Sequence, residues 1–453
     1  MRTTAFLILK TVADKRRTLD SAVEIYLTEE RLPDRRDRTL ATAIVYGVLR
    51  WQNTLDWYIH QFSNTPFHKV HTDIRLILRI GLFQLLYLDR IPAFAAVDGA
   101  VSLTRQQTKK PHLAGFVNGL LRNAARNQDH LRVPVDGEDA ASLSVAKSFP
   151  VWMLERWLSR FGIPETMNIC DHINMIPPVT VRVNTLKTDR EGLKSALAAS
   201  AQEISPGIHS PDALLLNLLK VPVHKMPAFQ DGGFQVQDEA AQLACRFLSP
   251  RQGELIMDAC AGLGGKTGYI AQLMSNQGRI VAVDNDAEKL KKLESDMKRL
   301  GVTNVKITAE NLLHKAPKKT SVQFDRIFAD CPCSGAGVIR RNPDIKWSLN
   351  QKDLIRHQTK QVRILDALAP RVKPGGLLVF AVCSREMEEN AYVVHKFLKI
   401  RQEFDIEKKI DKPVFENTPS LKRLVDKNGY YQTMPYPDGM DGFFGVRFRK
   451  RKS

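Results

Sequence analysis

Along the first 140 residues the apolar positions recur every three or four residues. Ala5, Phe6, Leu7, Leu9 and Val12 form one such stripe, and Leu40, Ala43, Ile44, Tyr46, Gly47 and Val48 form another. This spacing predicts amphipathic helices. A third stretch puts Ile74, Leu78, Gly81, Leu82 and Leu85 on one face, with Asp73 as the candidate N-cap. No strand-like alternation occurs before residue 140, so residues 1–140 are expected to form an all-helical domain. Trp51, Trp57, Tyr58, Phe62 and Phe67 are expected to fill its core rather than to stack on bases.

The pattern changes twice downstream. Residues 145–240 mix the two periods: Val179 to Asn184 alternates as a strand, Asp189 to Ala199 reads as a helix, and Leu214 to Leu216 and Phe234 to Gln237 are further strand candidates. This predicts a small α+β domain. From 241 to 453 apolar strands and amphipathic helices follow one another. The strands are Leu255–Asp258, Arg279–Asp284, Val305–Ala309, Arg326–Asp330 and Leu377–Cys383. The helices are Lys266–Met274, Ala287–Leu300, Gln351–Leu368 and Glu388–Ile400. Such alternation predicts a doubly wound α/β domain with a mostly parallel sheet, whose ligands bind beyond the carboxyl ends of the strands. Asp258, Asp284, Asp330 and Cys383 all fall at such ends.

Composition adds a partner and removes several classes. A chain of 453 residues suits several domains rather than one core. No apolar run reaches the ~20 residues of a membrane span; the stretch from Leu76 to Leu88 is interrupted by Arg79 and Gln84. The first residues lack a signal-peptide cleavage site, so an intracellular, cytoplasmic protein is expected. The six cysteines do not suit a disulfide framework in a chain of this length. Cys331-x-Cys333 lacks the second ligand pair that zinc requires, so no metal is expected. The net charge of +18 points to a polyanion. Its basic residues are spread from Lys15-Arg16-Arg17 through Arg340-Arg341 to the tail Arg447 to Lys452, as in a protein that touches a large nucleic acid through several domains.

The chemistry begins at Asp258-Ala259-Cys260-Ala261-Gly262-Leu263-Gly264-Gly265-Lys266-Thr267. Gly265-Lys266-Thr267 ends like a Walker loop, but the first glycine that motif needs falls at Cys260. A dinucleotide G-x-G-x-x-G from Gly262 fails at Thr267. What remains is strand, small-residue loop and helix, followed by a strand that ends in Asp284. An acid there suits a ribose diol, and glycines let backbone approach a ligand closely. This is the layout of an S-adenosylmethionine site, whose sulfonium needs no phosphate cradle. Taken alone, Asp284 is equally a turn residue before the helix at Ala287.

Two cysteines follow, in Asp330-Cys331-Pro332-Cys333-Ser334-Gly335 and Val382-Cys383-Ser384. A free cysteine is usually a buried small hydrophobe. Here both lie where a strand meets a loop, downstream of a cofactor loop, and a thiolate is a soft nucleophile suited to an electron-poor ring. These motifs resemble the paired cysteine motifs of the RNA cytosine-C5 methyltransferases. Cys260 to Thr267 is similar to that family's cofactor loop. Gly337 to Trp347 resembles a stretch of its bacterial small-subunit rRNA members, the Sun/Fmu group, and Met440-Asp441-Gly442-Phe443-Phe444 resembles their closing strand motif.

The resemblance covers nearly the whole chain. It implies a NusB-like helical RNA-binding domain, a small α+β RNA-binding linker domain and a Rossmann-like class I methyltransferase domain, in a monomer acting on 16S rRNA. It also implies that Cys383 adds to carbon 6 of cytosine and that Cys333 assists release. Asp330 is implied to hydrogen-bond the ring at N3, and Lys266 to order the loop or favour the thiolate. Cys260, Ala261, Gly262, Leu263, Gly264, Gly265, Lys266, Asp284, Asp330 and Asn311, with Glu310 as the alternative to Asn311, are implied to hold the cofactor.

The chain departs from the family in four places. Gly262-Leu263 stands for Ala-Pro, Cys331 for alanine, Val382 for threonine, and Ala309-Glu310-Asn311 at the adenine motif, where an Asp is usual. A tRNA substrate, and a non-catalytic RNA-binding factor on a dead methyltransferase fold, are the competing expectations. The intact Asp284, Asp330, Cys333 and Cys383 weigh against the second.

Overall fold

The computed structural model describes residues 1–127, 133, 139–313, 322–409 and 411–452. These residues form two compact units: Met1–Met175 with Ile339–Leu349, and Ile176–Val338 with Asn350–Ser453.

The first unit is helical throughout its described residues. Helices Arg2–Ala13, Leu19–Tyr26, Arg35–Arg50, Gln52–Phe62, Thr72–Tyr87, Ala93–Gln107 and Pro111–Asn127 enclose one apolar core. Three shorter helices follow, Ala140–Lys147, Val151–Phe161 and Ile163–Asn174. Trp51, Trp57, Phe62 and Phe67 pack against the core and Tyr58 lies within it, as their spacing implies. The N-cap lies two residues before the expected Asp73. His71 caps the helix by accepting the Asp73 N–H, while the Asp73 carboxylate, already in the first turn, accepts from Lys10 at 2.8 Å.

A short segment from far along the chain completes this unit. Trp347 Nε1 donates to the Leu49 carbonyl at 2.6 Å, and Arg50 Nη2 donates to the Arg340 carbonyl at 3.0 Å. Lys346 is buried, with its Nζ 3.6 Å from the Phe149 ring centroid. It donates to the carbonyls of Arg50 and Ser148 and to Asn174 Oδ1 at 3.0, 2.9 and 2.7 Å. Burial pushes the Lys346 ammonium well down from its ordinary value, and these acceptors and the ring offset part of that penalty.

In the second unit a four-stranded antiparallel sheet comes first. It consists of β1 (Val179–Val183), β2 (Ala201–Pro206), β3 (Ala213–Leu219) and β4 (Phe234–Val236), in the order β2-β3-β1-β4, with helix Arg190–Leu197 over its apolar face. The larger sheet contains β5 (Leu255–Asp258), β6 (Arg279–Asp284), β7 (Val305–Ala309), β8 (Phe324–Asp330), β9 (Val372–Val382), β10 (Phe404–Ile406), β11 (Tyr430–Thr433) and β12 (Phe443–Lys450). Its order is β10-β12-β9-β8-β5-β6-β7, with β11 on β12. The strands from β7 to β9 are parallel, and β12 returns antiparallel beside β9. Strand order reverses at β5, between β6 and β8, which is where such sheets bind ligands.

Two apolar clusters cover the two faces of this sheet, which explains why its central strands read as continuous apolar runs. Helices Gly265–Leu273, Ala287–Leu300, Gln351–Leu368 and Ala391–Ile400 match the expected positions within a few residues.

Lys346→Met is expected to leave two buried carbonyls and the Asn174 amide oxygen without their donor, destabilising the helical unit by about 2–4 kcal/mol. The check is the denaturant midpoint of that unit's unfolding transition, which falls if Lys346 has this role and stays put if it does not.

Candidate functional site

The cofactor-type loop lies over the carboxyl end of β5. Ala259 N–H donates to the Phe328 carbonyl of β8 and Ala261 N–H to the Val283 carbonyl of β6, so the loop is pinned at the order reversal. Gly262 and Gly264 have φ of +53° and +85°. At Gly264 a side chain would also strike Leu293, 2.6 Å from where its Cβ would sit, so glycine is required there. Gly265 opens the following helix, and its carbonyl accepts from the buried Arg182 of β1 at 2.7 Å. Arg182 also bonds Gln237 and lies over the Tyr269 ring. Burial brings its guanidinium down to about 10.

A cleft of about 370 Å³ opens beside the loop. Cys260, Asp284, Glu310, Asn311, Pro332 and Lys360 are among its lining residues. Asp284 is bonded on both oxygens as a turn and loop residue. Its Oδ1 accepts from Asp286 N–H as a turn residue, and its Oδ2 accepts from Gly262 N–H in the loop, each at 2.9 Å. Arg371 holds both oxygens of Glu310, while Asn311 Oδ1 accepts from Leu313 N–H at 3.0 Å. Leu263, in the position where the resembled family carries proline, is half exposed.

Lys266 and Asp330 form an ion pair of 2.5 Å. Burial works against the Lys266 ammonium, but the Asp330 charge and hydrogen bond outweigh it and raise its pKa, so Lys266 stays a cation. Cys383 and Cys245 also act on that cation. Asp258 lies beneath, buried, and accepts from Thr267 Oγ1 at 2.6 Å. Burial first, and then the nearby Asp330 charge, push the Asp258 carboxyl up to about 7, against the hydrogen bond from Thr267.

Cys333 Sγ and Cys383 Sγ are 3.2 Å apart and half-buried. Their loops are laced together. Cys331 N–H donates to the Ala381 carbonyl at 2.9 Å and Gly337 N–H to the Cys383 carbonyl at 3.0 Å. Gly442 N–H in turn donates to the Gly337 carbonyl at 2.8 Å. A side chain at Gly337 would come within 1.9 Å of the Gly442 carbonyl oxygen, so only glycine lets the three segments meet. Cys333 has a raised pKa because it hydrogen-bonds Cys383, is buried, and faces the charges of Cys383, Glu389 and Asp330. Cys331 is buried and packs with Cys260; burial and that contact raise its pKa too. Of the residues expected to hold the cofactor, Cys260, Asp284 and Asn311 line the cleft, whereas Lys266 and Asp330 pair with each other and the Lys266 cation acts on Cys383.

Sequence reasoning passed over Ser334, Glu389, Gln361, Arg182 and Arg371. Ser334 N–H donates to Glu389 Oε1 at 2.7 Å and its hydroxyl to Oε2 at 2.5 Å. The sequence placed Glu389 only at the start of the predicted helix Glu388–Ile400, whereas in the fold it is wholly buried. Among the described residues no group of His, Cys, Asp and Glu is placed to hold a metal ion, and no helix is long and apolar enough to cross a membrane.

The Asp258 carboxyl, raised above its unfolded value near ~3.9, contributes stability that is present in acid and lost as pH rises through about 7. Asp258→Asn keeps an acceptor for Thr267 and removes that loss. The variant is expected to gain stability over the wild type between pH 5 and pH 8, read as the change in the difference of their denaturant midpoints. An equal difference at both pH values would contradict the burial argument.

Three family models match the chain in succession. They are the NusB family over residues 1–126, the ferredoxin-like domain of RsmF/B-like methyltransferases over 149–224, and the 16S rRNA methyltransferase RsmB/F over 245–449. Probable ribosomal RNA small subunit methyltransferase B of Synechocystis sp. is 35% identical over 451 residues, 99% of either chain. The Bacillus subtilis protein of the same name is 35% identical over 92% of this chain and 91% of its own. Ribosomal RNA small subunit methyltransferase B of Escherichia coli O127:H6 is 37% identical over 80% and 82%. Among solved structures, PH0851 shares the fold at a TM-score of 0.80 and 24% identity, over 99% of this chain and 98% of its own. NSun6 from Pyrococcus horikoshii does so at 0.57 and 22%, over 68% of this chain and 100% of its own. With a relative this similar from end to end, and its family's domains matched in order, the chain belongs to the RsmB/F family of small-subunit rRNA methyltransferases.

Proposed function

We propose that this rRNA methyltransferase transfers the methyl group of S-adenosylmethionine to carbon 5 of a cytosine in 16S rRNA, through a covalent adduct with Cys383. The observation that carries this reading is the pair of sulfurs 3.2 Å apart beside the Lys266–Asp330 ion pair. Carbon 5 of cytosine is a poor nucleophile. Addition of the Cys383 thiolate to carbon 6 turns the ring into an enamine whose carbon 5 can take a methyl group. Asp330 faces N3 of the base, and Lys266 holds that carboxyl in place and supplies a positive charge near Cys383. Loss of the hydrogen on carbon 5 then lets the ring expel the Cys383 thiolate, with Cys333 assisting. The target base has to be unpaired or turned out of its stack to reach these groups.

The cleft suits S-adenosylmethionine in its chemistry. Two acids, Asp284 and Glu310, line it together with Lys360. When bound, S-adenosylmethionine supplies an electrophilic methyl group on a sulfonium. Asp284 would hold the ribose diol, and the loop from Cys260 to Lys266 would contribute the other cofactor contacts. Asn311 is favoured over Glu310 for the adenine by its register and by an amide's ability to hydrogen-bond the ring, while Arg371 pairs with Glu310. We further assign RNA binding to the helical domain (residues 1–140) and to the small domain (145–240), with catalysis in 241–453, in line with the net charge of +18.

Cys383→Ser is expected to abolish methyl transfer to a 16S rRNA substrate, and turnover near the wild-type rate would remove Cys383 as nucleophile. Cys333→Ser is expected to accumulate a protein–RNA adduct, seen on a denaturing gel as a shifted band that resists reducing agent and disappears with RNase. Absence of that band would refute the release role. Bisulfite sequencing of 16S rRNA from cells with and without the protein is expected to show one protected cytosine that depends on it. An unchanged pattern would contradict the substrate.

A further inference from the structure

The two cysteines are chemically alike and nearly in contact, so something has to decide which is the thiolate. Two thiols at 3.2 Å share protons: one sulfur ionises while the other donates to it. The Glu389 carboxylate bonds the residue next to Cys333, and Glu389 and Asp330 both act against a thiolate on Cys333, while the Lys266 cation acts on Cys383. Lys266 already neutralises Asp330 across 2.5 Å. Glu389 is the remaining anion on the Cys333 side.

Glu389 is unusual for a carboxylate in being fully buried. It reaches the Cys333 loop from the turn Met387–Glu389, six residues beyond Cys383. Both its oxygens are used on the residue next to Cys333: Oε1 accepts the Ser334 N–H and Oε2 the Ser334 hydroxyl. Gln361 Nε2 donates to the Pro332 carbonyl at 3.1 Å and to Glu389 Oε1 at 3.4 Å, closing the clamp from the helix behind. No basic side chain donates to this carboxylate among its described hydrogen bonds.

We propose that Glu389 is the positioning residue that sets where the shared proton rests, clamping the Cys333 loop and holding the proton on Cys333 so that Cys383 carries the thiolate. The proposal rests on the reading of Cys383 as the nucleophile, and it explains how that division of labour arises between two sulfurs in contact. Glu389 touches no reacting atom; it acts through charge and through the loop it grips.

The test is alkylation of the full-length protein with iodoacetamide at neutral pH without RNA, with mass spectrometry of the Cys333 and Cys383 peptides. In the wild type Cys383 reacts first; equal reactivity, or Cys333 reacting first, overturns the proposal without any variant. Glu389→Gln keeps an acceptor for the Ser334 N–H and removes the charge. The ratio of Cys383 to Cys333 labelling is expected to fall by about tenfold, the effect of one pK unit. Ser334→Ala, which keeps the charge and loses one bond, is expected to hold the wild-type ratio, and Glu389→Asp to restore part of it. A wild-type ratio in Glu389→Gln, or a fall in Ser334→Ala as large as in Glu389→Gln, shows that the charge does not set the proton. The labelling needs no methyl transfer. Cys383→Ser that still methylates RNA therefore fails the functional reading alone, and an unmoved ratio fails the Glu389 proposal alone.

Discussion

The parallel pairing of β8 with β9 is the constraint on which the site depends. Its register sets Asp330 opposite Ala381, so the two strands deliver their carboxyl ends side by side. Cys333 lies three residues past the end of β8 and Cys383 one past the end of β9. Residues 50 positions apart in sequence thereby come within 3.2 Å. Every further link acts on that junction: Cys331 to Ala381, Gly337 to Cys383, Gly442 to Gly337, and Glu389 to Ser334. The antiparallel β12 beside β9 puts Gly442 where it can close the third side.

Electrostatics then gives the junction a direction. Strands β5, β6 and β8 bring Asp258, Asp284 and Asp330 to the same edge, and acids so close, one of them buried, cannot all ionise at no cost. The protein meets this in two ways. Asp330 is neutralised by Lys266, and Asp258 is left beneath the surface with its carboxyl raised to about 7. The arrangement leaves a cation near Cys383 and a buried anion near Cys333, an asymmetry that the two identical side chains lack by themselves.

Much of this was legible before the fold was seen. Strands Leu255–Asp258, Arg279–Asp284 and Val305–Ala309 and helices Ala287–Leu300 and Gln351–Leu368 fall where their periodicity puts them, because both faces of a parallel sheet are buried and leave a strong apolar signal. The cysteines were found because loop positions after strand ends are poor places for a merely buried thiol. What stayed hidden depended on partners distant in sequence. Glu389 sits at the start of a predicted helix, and only the fold turns it inward. Lys346 and Trp347 look like an RNA-facing basic stretch, yet both spend their polar atoms on carbonyls of the helical unit. Arg182 alternates as an ordinary strand residue, and its bond to the Gly265 carbonyl could not be read from spacing.

The central claim is that Cys383 is the sulfur that bonds to the base. The direct measurement is mass spectrometry of the protein after reaction with S-adenosylmethionine and a 16S rRNA fragment in which cytidine is replaced by 5-fluorocytidine. Fluorine on carbon 5 cannot leave as a proton does, so the adduct persists. The account predicts a nucleotide attached to the peptide that carries Cys383. Attachment to the Cys333 peptide, or methylated product with no adduct at all, would contradict it.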